Sequence, residues 1–86
     1  MPKISEFFGI AIYVYWADHG PPHFHARYAG DKASIKIDDL SVLDGKLPPR
    51  ALGLVTEWAA LHQEELREVW NRASRNEPPG TIEPLS

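Results

Sequence analysis

Apolar and polar residues alternate along the first half of the chain and recur at three- and four-residue steps along the second. From Ile10 to Trp16 the residues Ile10, Ile12, Val14 and Trp16 fall on one phase and Ala11, Tyr13 and Tyr15 on the other. With this content of β-branched and aromatic residues, that two-residue period predicts a strand. The same phase returns at His23–Tyr28, where Phe24, Ala26 and Tyr28 oppose His23, His25 and Arg27. It returns again at Lys32–Ile37, where Ala33, Ile35 and Ile37 oppose Lys32, Ser34 and Lys36. Turn chemistry separates the runs, Asp18–Pro22 before the second and Ala29-Gly30-Asp31 before the third. Pro2–Gly9 reads as a lead-in strand or a loop, and Ser41-Val42-Leu43 as one more short extended piece ended by a turn at Asp44-Gly45. Pro48-Pro49 then opens a helix, because proline is tolerated in a first turn. Leu52, Val55, Ala59, Leu66, Val69, Trp70 and Ala73 form its apolar stripe up to about Ser74.

An apolar helix stripe and an apolar sheet face bury each other. The expected fold is therefore α+β: an antiparallel three- or four-stranded meander with one long C-terminal helix packed on one face. A single domain spans 1–76, and 77–86 is a flexible tail unless something holds it. The face toward the helix carries Ile10, Ile12, Val14, Phe24, Ala26, Ile35 and Ile37. Trp16, Trp58 and Trp70 are expected in the core, and His62 at the edge of the helix–sheet interface. The opposite face carries Tyr13, Tyr15, His23, His25, Arg27, Ser34 and Lys36, more polar and aromatic chemistry than solvation alone requires.

Composition narrows the setting. With 86 residues there is room for one small core, and with no cysteine there is neither a disulfide framework nor a thiolate metal site. No run approaches the ~18–20 apolar residues of a membrane span, and Met1–Glu6 lacks the apolar core of a signal peptide. A soluble, cytoplasmic protein with no membrane association is expected. The net charge is -3, which disfavours indiscriminate binding to nucleic acid. The halves differ: residues 1–37 hold four basic and three acidic side chains, whereas 38–86 hold five and nine. A local basic patch on the first half is compatible with the acidic total.

Three of the four histidines lie within Asp18-His19-Gly20-Pro21-Pro22-His23-Phe24-His25. Proline removes an amide donor and disfavours the α region before it, so the stretch is a turn leading into a strand. His23 and His25 then stand side by side, about 6.6 Å apart on one face, away from the predicted helix. One chemistry open to them is a divalent metal such as zinc, held by His23 and His25 with His19 or Asp18 from the turn. A second is metal-free cleavage of RNA, in which His23 and His25 act as base and acid, since imidazole titrates near pH ~6.5. Arg27 would stabilise phosphate charge, while Tyr13, Tyr15 and Lys36 would bind the nucleotide. The third is a satisfied structural turn on a non-catalytic interaction module, whose sheet face or free strand edge binds another protein.

Beyond these motifs, Ile4-Ser5-Glu6-Phe7-Phe8-Gly9-Ile10, Gly45-Lys46-Leu47-Pro48-Pro49-Arg50 and the helix Glu57-Trp58-Ala59-Ala60-Leu61-His62-Gln63-Glu64-Glu65-Leu66 complete a pattern that resembles domain-of-unknown-function family 4160. The resemblance implies a small bacterial protein placed beside a second small domain in a two-component toxin–antitoxin module. On that basis the expected role is the toxin side of such a pair, with an antitoxin-like cognate protein as partner and RNA as target. Homodimerisation is a further expectation for so small a domain.

Overall fold

The computed structural model describes residues 2–86. Five strands follow one another in space as in sequence, each antiparallel to the next: β1 (Lys3–Phe7), β2 (Ile10–Tyr13), β3 (His23–Tyr28), β4 (Asp31–Lys36) and β5 (Val42–Lys46). Two helices complete the α+β architecture, α1 (Pro49–Leu61) and α2 (Gln63–Ser74).

The expectation of three or four strands and one long helix is corrected at three places. Pro2–Gly9 forms a full edge strand, because Phe8 and Gly9 both take positive φ (50° and 78°) and close a two-residue hairpin of the twist that strands favour. At the other edge, Asp44-Gly45 does not turn but continues β5 opposite Ser34 and Ala33. Gly45 has φ 76° beside a register shift, and a Cβ there would lie 2.2 Å from the Lys32 carbonyl oxygen. A glycine that reads as a turn is thus a strand irregularity that brings two backbones together. The helix breaks at His62, whose φ of -128° is not helical. The Gln63 side chain donates to the carbonyl of Ile37, at 2.8 Å, and fastens the break to the end of β4.

The core follows the sequence phase. Ile10, Ile12, Val14, Phe24, Ala26, Ile35 and Ile37 are all fully buried, and Val55, Trp58, Ala59 and Leu66 cover them. Trp58 packs its ring against Phe7 and Phe24 at centroid distances of 5.3 and 5.9 Å. Trp16 departs from expectation. β2 ends at Tyr13, so the phase that would bury Trp16 is lost, and its ring is 42% exposed.

The β2–β3 loop and the C-terminal segment are both tied down. The Ala17 amide donates to the Ala73 carbonyl at 3.1 Å, joining the β2–β3 loop to the last turn of α2. Beyond Glu77, Ile82 is buried, its amide donates to the Ile4 carbonyl at 2.8 Å, and Trp58 Nε1–H donates to the Glu83 carbonyl at 2.9 Å. Residues after Asn76 therefore hold the outer side of β1. The edge at β5 is exposed along its whole length.

Candidate functional site

The β2–β3 loop carries Asp18 back over the start of β3, where the alternation of an extended strand sets His23 and His25 on the same side. Asp18 Oδ2 lies 2.9 Å from His23 Nε2 and 3.3 Å from His25 Nε2. The two imidazoles meet edge to face with centroids 5.0 Å apart. One ligand atom from each of Asp18, His23 and His25 lies within 4.8 Å of the others. Donor atoms about 2.0–2.1 Å from one cation stand about 3–3.4 Å apart at octahedral to tetrahedral angles, close to the observed spacing.

The remaining atoms of the three side chains are held from outside. The His23 Nδ1 sits 2.7 Å from the Pro21 carbonyl oxygen, which can only accept. Nδ1 therefore carries the proton, and in the neutral ring Nε2 presents a lone pair to the Asp18 carboxylate. Two acceptors 2.9 Å apart repel unless a proton or a cation lies between them. His25 Nδ1 meets Ser34 Oγ at 3.2 Å, and the His19 amide donates to Asp18 Oδ1 at 2.9 Å. Partners of this kind fix ring orientation around metal ligands.

Aromatic rings clamp both imidazoles. Tyr15 stacks on His25 at 4.0 Å, nearly parallel, and Trp70 of α2 lies 5.0 Å from His23. The second contact corrects the expectation that His23 faces away from the helices: with the helix broken at His62, α2 reaches the start of β3, and His23 is 8% exposed. Arg27 extends the cluster along the strand, donating to Tyr15 Oη at 3.5 Å with its guanidinium over the Tyr13 ring.

Burial and charge set the protonation of the group. Burial pushes the Asp18 carboxyl up, but the His19 amide, the His25 hydrogen bond and the two imidazoles outweigh it and hold it below its ordinary value. Burial pushes His25 down; the Asp18 hydrogen bond opposes this, and the neighbouring His23 and Arg27 reinforce it. A neutral imidazole beside an ionised carboxylate is the state a cation requires.

The structure thus brings Asp18, His23 and His25 together, with Tyr15, Tyr13 and Arg27 alongside. His19 is exposed and contributes its backbone amide, its imidazole standing outside the group. Lys36 lies opposite His23 in the β3–β4 register. His62 is elsewhere, paired with Glu65 at 2.6 Å and beside Trp58. Trp70 and the Pro21 carbonyl join the site without having been singled out in the sequence, and Ser34, placed on this face by strand phase but given no role, joins it through His25. For Ser34 a signal exists, since the hairpin that pairs Tyr28 with Asp31 must pair His25 with Ser34. For Trp70 there is none, because its position depends on the helix break.

Among known proteins, a family model described as "Domain of unknown function (DUF4160)" matches residues 9–71, a span that includes the whole of the Asp18–His25 motif. Neither the curated proteins nor the solved structures contain a match.

Proposed function

Because the chain belongs to the DUF4160 family, whose description assigns no activity, we propose a function from its own geometry: a divalent-cation-binding protein whose centre is Asp18, His23 and His25. The observation that carries this is the convergence of Asp18 Oδ2, His23 Nε2 and His25 Nε2, with His23 Nδ1 committed to the Pro21 carbonyl. Two imidazoles and one carboxylate suit zinc, or iron(II) in a site with open positions. Three protein ligands leave room for water or substrate, as catalytic rather than structural centres do.

Metal-free acid–base chemistry fits less well. Both imidazoles share a single carboxylate oxygen, and His23 is sealed against Trp70, so His23 lacks the independent access that separate acid and base roles require of both rings. The decisive measurement is elemental analysis of purified protein together with zinc titration of chelated protein. One equivalent is expected, with affinity falling at least about 100-fold in Asp18→Asn or His25→Ala, beyond the loss typical of outer partners. A protein that takes up no stoichiometric metal would sink this function.

The toxin-side role in a two-component pair is the wider proposal, and one feature supports a small protein partner. The β5 edge is open, with Val42 and Leu43 exposed, whereas β1 is covered by the segment around Ile82. Expression alone and beside a cognate small protein tests it. Growth inhibition by the chain alone, relieved by the partner, is expected, and the absence of both effects removes the assignment.

A further inference from the structure

The polar face of the sheet carries a row of like charges across three strands. Arg27 of β3 stands opposite Lys32 of β4, which stands opposite Lys46 of β5. Like charges directly opposite one another destabilise a sheet, and this row persists in a chain of net charge -3. Among the described residues, Lys32 and Lys46 make no ion pair. The row borders a cleft of about 210 Å³ lined by Arg27, Lys32, Tyr15, Ser34, Asp44 and His25. His25 is also a member of the Asp18–His23–His25 group, so the cleft and the proposed cation centre share a wall.

We infer that this cleft binds the phosphoryl group of a phosphate ester between Arg27 and Lys32, with the group's remaining oxygens toward the cation centre. Its volume is below the ~300–1,000 Å³ of pockets that enclose whole small molecules, so it suits one oxyanion and leaves the rest of the ester outside. A guanidinium fork beside an ammonium matches the spread of charge over several oxygens. Tyr15 fixes Arg27 from one side, and the strands at Ala33 and Gly45 complete the lining. Asp44 opposes the two cations and limits the affinity for a fully ionised group. The inference rests on the proposed cation centre only for the second contact to the phosphoryl oxygens.

Calorimetric titration of zinc-loaded and chelated protein with inorganic phosphate, uridine 3′-monophosphate and uridylyl-uridine tests it. Lys32→Gln is expected to weaken phosphate binding about fivefold, the loss of one contact between charges near water. Asp44→Asn is expected to tighten it by a similar factor, a gain that a misfolded variant cannot give. Arg67→Gln removes the same charge on α2 and should leave affinity unchanged. The tighter of the two uridine probes identifies the ester as a monoester or a diester, and inorganic phosphate binding more tightly than both would overturn the assignment to an ester. Equal affinity in the parent and Lys32→Gln, an equal loss in Arg67→Gln, or acetate binding as tightly as phosphate would overturn the inference. A parent that holds no zinc yet binds phosphate through Lys32 supports the cleft and removes the cation centre.

Discussion

His25 is depressed by burial, so its folded form prefers the neutral ring. The unfolded chain then binds more protons as pH falls through the ordinary histidine range. The stability this group contributes is present above about pH 6.5 and is lost as pH falls through the lower folded value. Asp18 is depressed too, but its contribution is lost only in the carboxylate range, further into acid. Denaturant unfolding of metal-free protein should show stability falling from pH 7 toward pH 5, with a shallower slope in His25→Gln. Equal slopes would show that His25 is not the titrating group. Gly45 poses a different constraint, its positive φ and its approach to the Lys32 carbonyl excluding a side chain. Gly45→Ala is expected to lose at least about 1–3 kcal/mol of unfolding free energy, the usual cost of backbone strain, and to distort the cleft.

At the level of elements, the three central strands and their faces follow directly from the alternation at Ile10–Tyr13, His23–Tyr28 and Lys32–Ile37. Each turns one apolar phase toward the helices, and a one-residue slip would turn that phase away from them. The edge strands were harder to read for two reasons: in β1 a register shift between Lys3 and Ser5 breaks the alternation, and in β5 every residue is exposed and the bend is carried by a glycine indistinguishable in sequence from a turn. The helix break left a trace, a gap in the stripe between Ala59 and Leu66 filled by His62 and Gln63. What the gap could not show is that α2 swings toward β3, since that depends on Gln63 reaching the Ile37 carbonyl. Asp18, His23 and His25 were all legible as candidates from composition and strand phase. That Asp18 rather than His19 supplies the third group depends on the conformation of the proline turn, which spacing does not define.

For the whole molecule, the C-terminal segment closes what a small sheet leaves open. Ile82 fills a position against β1, and the Glu83 carbonyl satisfies the buried indole of Trp58. Ile82→Ala should cost about 2 kcal/mol, the lower end for a buried isoleucine truncated near the surface, and chemical denaturation measures it directly. No helix among the described residues is long and apolar enough to cross a membrane. The acidic excess lies in residues 38–86, mostly outside the two helices, and is opposite in sign to the Arg27–Lys32–Lys46 row.

The amide bond from Ala17 to Ala73 links the loop that holds Asp18 to the last turn of α2, and Trp70 of the same helix lies on His23. Opening α2 would therefore loosen the ring and the loop together, so that a cation bound as proposed would make ligation and helix fraying one equilibrium. Amide hydrogen exchange along α2 should slow on zinc loading by more than the general slowing that binding to the folded state gives the other elements. Release of the ion would then be timed by the breathing of a helix that contributes no ligand to it.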